Sequence, residues 1–188
     1  METRRCGQTD LVLPSLGIGC FSFGGGSYWG EQSQSDVDDV VACALDRGVY
    51  LLDTAETYNG GESEIALGRA LRGRRDQALI VSKIQPDHAY AAEVRRYCDA
   101  SLQRLQTDRI DAYLIHWPLN TNALRHYTSD SEKLAAPPRL PDTLHVLKEL
   151  QREGKIRYLG VSNFGVTQLT EALAVGVPLA VNEPRIIY

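Results

Sequence analysis

Short apolar runs alternate with stretches of helical spacing along this chain, and three of those runs end on a residue able to hold or move a proton. Leu51-Leu52 lead into Asp53, Ala78-Leu79-Ile80-Val81 into Ser82-Lys83, and Ala112-Tyr113-Leu114-Ile115 into His116. Tyr58 follows Asp53 by one short loop. Strands this short, each delivered by a helix, predict a parallel sheet, because parallel neighbours need a helical crossover. In parallel α/β architectures ligands bind at the carboxyl ends of the strands, and these polar residues fall at that end.

The rest of the pattern supports this class. An N-terminal β-hairpin is predicted from Arg4-Arg5-Cys6 and Val12-Leu13 around Gly7-Gln8-Thr9-Asp10, followed by a first barrel strand near 16–19. Residues 35–47 read as a helix with Ser35 as its cap, Val37, Val40, Val41 and Ala44 as its apolar face, and Gly48 as its stop. Further helices are predicted at 62–72, 91–105, 142–152 and 166–174, with strands at 79–81, 110–115, 156–161 and 179–181. The polar, proline-broken stretch 118–141 reads as an active-site loop. Gly24-Gly25-Gly26 lacks the context of a phosphate-binding turn and reads as another such loop.

Taken singly, Asp53 would read as a strand-end cap, Tyr58 as a surface aromatic, Lys83 as a solvated charge and His116 as a core histidine. Together they can donate a proton to a carbonyl. A tyrosine near its ordinary pKa of about 10 is a weak acid at neutral pH, and an ammonium at Lys83 would lower it by stabilising the phenolate. Asp53 would hold that lysine charged, and His116 would orient the carbonyl oxygen or share the proton. No nucleophile stands beside a base and no ligand set has metal spacing, so no metal is expected. The electrons must then come from a bound hydride carrier, which points to nicotinamide-dependent carbonyl reduction. His88, His126 and His145 lack comparable company and read as structural.

The stretch Asp53-Thr54-Ala55-Glu56-Thr57-Tyr58 followed by Gly60-Gly61-Glu62-Ser63-Glu64 resembles the signature of the aldo-keto reductases. Val81-Ser82-Lys83, Asp111-Ala112-Tyr113-Leu114-Ile115-His116-Trp117-Pro118 and Gly154-Lys155-Ile156-Arg157-Tyr158-Leu159-Gly160-Val161-Ser162-Asn163-Phe164 match further landmarks in order. The resemblance implies a TIM-type (β/α)8 barrel that binds NADPH, or alternatively NADH, and reduces small-molecule carbonyl substrates. It implies Tyr58 as general acid, Lys83 and Asp53 as its tuning pair, and His116 as a substrate-orienting residue. Ser162 and Asn163 match the pair that holds the nicotinamide carboxamide, and Glu183 stands in that pocket where the family usually has glutamine. Trp29 and Trp117 resemble aromatics of the substrate pocket.

A complete barrel of this type takes about 250 residues, whereas this sequence has 188. The expectation is one domain over 1–188, an incomplete barrel of about six strands that lacks the C-terminal part. A homo- or hetero-oligomer completing the barrel is the alternative to a fragment, and an inactive cofactor-binding or regulatory partner is the alternative to an enzyme. Pro184-Arg185-Ile186-Ile187-Tyr188 depart from the family pattern and suggest an altered end. With 43% hydrophobic and 23% charged residues, the chain can build a substantial core. A net charge of -4 without a basic stripe speaks against nucleic acid. The longest apolar stretch, 172–181, is broken by Gly176 and Pro178 and falls short of the roughly 20 residues that cross a bilayer. The amino terminus lacks the apolar core of a secretory signal, and four scattered cysteines read as reduced thiols, with Cys20 a buried small hydrophobe. A cytoplasmic protein is expected.

Overall fold

A computed structural model of the chain describes residues 1–184; the altered end expected at 185–188 lies outside the described residues. The predicted hairpin forms from β1 (Thr3–Arg5) and β2 (Val12–Pro14), paired antiparallel. The chain then alternates β3 (Gly17–Gly19), α1 (Gln34–Asp46), β4 (Leu51–Asp53), α2 (Glu62–Ala70), β5 (Leu79–Ile84), α3 (Val94–Leu105) and β6 (Ile110–Ile115). Two short helices, α4 (Thr121–Leu124) and α5 (Ser131–Ala135), precede α6 (Leu140–Arg152), β7 (Ile156–Ser162), α7 (Val166–Ala174) and β8 (Val181–Glu183). Strands β3 to β8 pair in sequence order, all parallel, as a curled half-barrel. Among the described residues no helix is long and apolar enough to cross a membrane.

Register decides what faces the inside of the curl. Asp53 pairs with Val81, Val81 with Ala112 and Ala112 with Tyr158; Lys83 pairs with Leu114, Leu114 with Gly160, Gly160 with Val181 and Ser162 with Glu183. Because side chains alternate across a strand, the inner face carries an apolar layer below and a polar layer above. Val81, Ala112, Leu114 and Tyr158 form the lower layer together with Leu11, and Cys6 and Leu13 of the hairpin region pack against it. Tyr158 Oη donates to Asp10 Oδ1 at 2.6 Å, which ties the hairpin turn to β7. The polar layer holds Asp53, Lys83, Ser162 and Glu183. On the outer face Ile80, Ile84, Tyr113, Ile115, Leu159 and Val161 pack against the helices through Val37, Leu67, Cys98, Leu105, Leu144 and Leu147.

Several expectations shift at their edges. The cap of α1 is Ser33, whose hydroxyl accepts from the Asp36 N–H at 3.1 Å, and Ser35 lies inside the helix. Ser33 has the extended backbone that a cap requires and stands three residues before the orphan donor. Val40 is exposed, so the buried face of α1 is Val37, Val41 and Ala44. α2 stops at Ala70, and β5 continues past Val81 through Lys83 to Ile84. α3 starts at Val94, while α6 starts two residues before its expected start at 142. β8 begins at Val181 and not at Leu179, whose side chain packs against the outer core. Gly160 explains the pairing, since a Cβ there would collide with the Val181 carbonyl. Part of the expected loop 118–141 is helical because Asn120 and Asp130 supply caps, Asn120 to the Ala123 N–H and Asp130 to those of Glu132 and Lys133. Leu124 of α4 is fully buried.

Candidate active site

Asp53 and Lys83 end up side by side because both point inward from neighbouring strands at the top of the sheet. The Lys83 ammonium is paired with Asp53 Oδ1, donates to the Thr54 carbonyl at 3.0 Å and lies 3.4 Å from Tyr58 Oη. Glu183 Oε1 approaches the same nitrogen at 3.6 Å from the end of β8. Tyr58 opens a short 3-10 turn, Tyr58–Gly61, in which Asn59, Gly60 and Gly61 all have positive φ. At Gly61 the φ of +98° lies in the region that favours glycine, and a Cβ there would also stand 2.9 Å from the Arg104 side chain. Asn59 anchors the turn by donating to the carbonyls of Phe21 and Phe23, both at 2.9 Å. The His116 ring meets Tyr58 edge-on, with centroids 5.6 Å apart. The sequence-predicted quartet is therefore brought together.

Electrostatics modify the expected roles. Burial pushes the Tyr58 phenol above its ordinary range; Lys83 works against that, and Asp53 and Glu183 add to it. The expected lowering by Lys83 is present but outweighed, because the phenol is desolvated and two carboxylates share its lysine. For Lys83 burial works downward, but Asp53, Glu183 and Tyr58 together hold the ammonium above its usual range. Burial raises both the Asp53 and the Glu183 carboxyl, with Lys83 opposing each. Burial, helped by Lys83, drives His116 down to about 3. His116 is thus neutral near pH 7, and its buried Nδ1 lacks a hydrogen-bond partner among the described residues.

All of these groups but Asp53 line a cavity of ≈ 400 Å³ walled by Phe21, Tyr58, Lys83, His116, Trp117, Ser162, Asn163, Glu183 and Pro184. Ser162 and Asn163 lie on one side of it. Ser162 Oγ donates to the Glu183 carbonyl at 2.8 Å, and Asn163 Nδ2 donates to the His116 carbonyl at 2.9 Å and to Ser162 Oγ at 3.1 Å. Trp117 is in the wall. Trp29 stands one ring further out, edge-on to Phe21 at 5.4 Å, and it is Phe21 that reaches Tyr58 at 4.6 Å. Sequence reading missed Phe21; its position directly after Cys20, in the same loop as Trp29, was the available signal. His88 is engaged elsewhere, with Glu56 Oε1 at 3.1 Å and Gln85 Nε2 at 2.8 Å. Among the described residues no cluster of His, Cys, Asp and Glu could hold a metal ion.

The sequence matches the Aldo/keto reductase family over residues 15–186. It is 34% identical to the aldo-keto reductase YhdN of Bacillus subtilis over 98% of this chain and 53% of that protein. It is also 34% identical to the methylglyoxal reductase YeaE of Escherichia coli, over 86% of this chain and 50% of the relative. Among solved structures, the thermostable aldo-keto reductase Tm1743 in complex with the inhibitor epalrestat is similar with a TM-score of 0.83 at 32% identity, covering 99% of this chain and 63% of that one. An aldo/keto reductase from Klebsiella pneumoniae in complex with NADP and acetate gives 0.66 at 34% identity, covering 85% and 49%. The chain spans about half the length of the curated relatives it matches.

Proposed function

Since the chain belongs to the aldo/keto reductase family, we propose that it reduces aldehyde or ketone groups to alcohols, with hydride from NADPH and the proton from Tyr58. The observation that carries this reading is the Lys83 ammonium, held by Asp53 and 3.4 Å from the Tyr58 hydroxyl in the wall of a cavity. The cavity fits a nicotinamide. Glu183 offers a carboxylate to accept from a carboxamide N–H, Asn163 carries an amide beside it, and the buried Nδ1 of His116 has no hydrogen-bond partner among the described residues. NADPH, when bound, supplies the hydride.

The chain's own residues do the rest. Tyr58 keeps its proton at neutral pH because burial holds its pKa up, and it releases that proton as an alkoxide forms, the point at which a general acid is effective. Lys83 stabilises the phenolate left behind, and Asp53 fixes the lysine. Neutral His116 orients the carbonyl oxygen without adding a competing charge. Ser162 and Asn163, already hydrogen-bonded to each other, hold the carboxamide, while Phe21, Trp117 and the outlying Trp29 wall off the substrate. Residues 1–188 act as one domain. Four free thiols fit a reducing, cytoplasmic compartment.

The test is NADPH consumption by the purified chain over a panel of aldehydes and ketones, starting with methylglyoxal because one relative is named for it. NADH in parallel decides the cofactor. Turnover that is lost in Tyr58→Phe while circular dichroism is unchanged supports the proposal. Saturable cofactor binding with no turnover on any substrate would replace it with the cofactor-binding, regulatory reading.

A further inference from the structure

Glu183 puts a second carboxylate on a lysine that already has one. Its side chain is 41% exposed and leans into the cavity, with Oε1 3.6 Å from a Lys83 nitrogen whose side chain is only 1% exposed. The glutamine that the family pattern leads one to expect at this position would be neutral. The groups facing the Lys83 nitrogen come from every element around it: Asp53 from β4, Tyr58 from the turn after it, Cys20 from the loop after β3, His116 after β6 and Glu183 from β8. Tyr58, Cys20 and His116 are uncharged near neutral pH, since burial raises the phenol and the thiol and lowers the imidazole. One ammonium therefore faces two carboxyl groups, both raised by burial and opposed in this by Lys83, and with both ionised the cluster is net anionic by one charge. With glutamine at 183 it would be neutral.

That charge matters because the two forms of a nicotinamide differ by one positive charge on the ring, and the polar wall of this cavity is where the ring would lie. On the reading of the preceding subsection, we infer that Glu183 makes the cavity favour the cationic, oxidised nicotinamide over the neutral, reduced one, and so makes the bound reduced cofactor a stronger hydride donor. The second clause follows from linkage: a site that binds one form of a couple more tightly shifts the bound equilibrium toward that form by the same factor. In the step concerned a C–H bond of the dihydronicotinamide breaks and its electron pair forms the new C–H bond at the carbonyl carbon. The proton passes from Tyr58 to the oxygen. Positive charge develops on the ring as this happens, and a fixed carboxylate nearby stabilises charge that appears only along the reaction, which lowers the barrier. The cost is slower departure of the oxidised cofactor.

The experiment is a pair of titrations of the full 188-residue chain with NADP+ and with NADPH, followed by the fluorescence of its two tryptophans, Trp29 and Trp117. The ratio of the two dissociation constants is the readout, because everything the two forms share cancels in it. In Glu183→Gln the preference for NADP+ should weaken by about tenfold, equivalent to about 1.4 kcal/mol, while Glu183→Asp, which keeps the charge, should retain it. Glu183→Ala serves as a second neutral variant if circular dichroism shows that the amide disturbs folding. Binding of both forms with the same ratio in the native chain and the neutral variants would overturn this inference and leave the reductase reading standing. Failure of a folded native chain to bind either form would overturn both.

Discussion

Ser82 and Lys83 are neighbours on β5 and build two buried ionic clusters on opposite faces of the same sheet. On the outer face Ser82 Oγ donates to Glu64 Oε1 at 2.6 Å, Arg104 Nε donates to Glu64 Oε2 at 2.6 Å, and Arg104 Nη2 reaches Ser101 Oγ at 3.1 Å. That cluster is one carboxylate and one guanidinium, with Glu64 fully buried and both of its oxygens engaged. On the inner face one ammonium is shared between Asp53 and Glu183, a phenol stands 3.4 Å away, and a histidine nitrogen has no partner among the described residues. The outer cluster is closed and pins α2 and α3 to β5. The inner one is open toward a cavity and sets two carboxyl groups on one ammonium. Buried polar groups that are fully satisfied specify structure, whereas those left short of partners are where ligands and protons are handled.

Breaking the two clusters should therefore give opposite phenotypes. The largest effect is expected for Tyr58→Phe, which should lower carbonyl-reduction kcat by about 10²- to 10⁴-fold, the range for losing a general acid. Its unfolding midpoint in urea should stay near that of the native chain, since among the described residues the hydroxyl's one hydrogen-bond contact is a long one with Lys83. Next comes Glu64→Gln on the other face. It leaves Arg104 without its counter-charge and should cost about 3 kcal/mol of stability, the lower end for breaking a buried pair because the Arg104 side chain is 25% exposed. Cofactor affinity should not change. A Tyr58→Phe chain that unfolds early, or a Glu64→Gln chain that is stable but inactive, would contradict the division of labour.

Much of the inner cluster was legible in the sequence because strand ends carry it. An apolar run that stops at Asp53 or at His116 marks the top of a strand without any knowledge of its neighbours. Lys83 was legible for the same reason, although β5 runs one residue beyond it. The outer cluster was not legible as a cluster, since Glu64, Ser82 and Arg104 come from α2, β5 and α3 and meet only once the layers pack. Phe21 escaped for a related reason: its place against Tyr58 depends on a loop held by Asn59, 38 residues further on. The helices inside 118–141 escaped because they are short and rest on caps at Asn120 and Asp130 rather than on apolar periodicity. The lowering of the Tyr58 pKa by Lys83 was legible and its outweighing by burial was not, because an ion pair can be read from residue types, whereas desolvation needs the fold.

The inner face also answers to acid, through His116. His116 is held down to about 3 by burial and by Lys83, against an ordinary value near 6.5. Between those values the unfolded chain takes up a proton that the folded chain refuses, so stability falls as pH falls. His116's contribution is fully present above about pH 6.5 and is lost progressively toward pH 3. At pH 5 the loss relative to pH 7 is about 2 kcal/mol, since each tenfold difference in proton affinity between the folded and unfolded chain is worth about 1.36 kcal/mol. Asp53 and Glu183, raised by burial, push the other way in the carboxylate range, since the folded chain then holds the extra protons. The difference between the native chain and His116→Asn, measured by urea unfolding at pH 5 and pH 7, isolates the histidine. Equal losses in both chains would mean that His116 is solvated and free to charge.

The smallest effect tests how independent the faces are where they come closest. Ser82→Ala removes one donor from Glu64 and leaves Arg104 in place, so the expected cost is about 1.5 kcal/mol, the low end for a hydrogen bond to a charged group. The backbone of Ser82 still pairs with Tyr113 on β6, which keeps the strand in register and Lys83 on the inner face. The Tyr58 titration, read at alkaline pH as the difference in ultraviolet absorbance from a chain that also carries Tyr58→Phe, should then be the same as in the native chain, and so should the affinity for NADPH. A shift in either, accompanied by little loss of stability, would mean that β5 moves when its outer anchor is cut. Lys83 would then owe its position to the outer cluster, and the ionic network behind the sheet would count as part of the site in front of it.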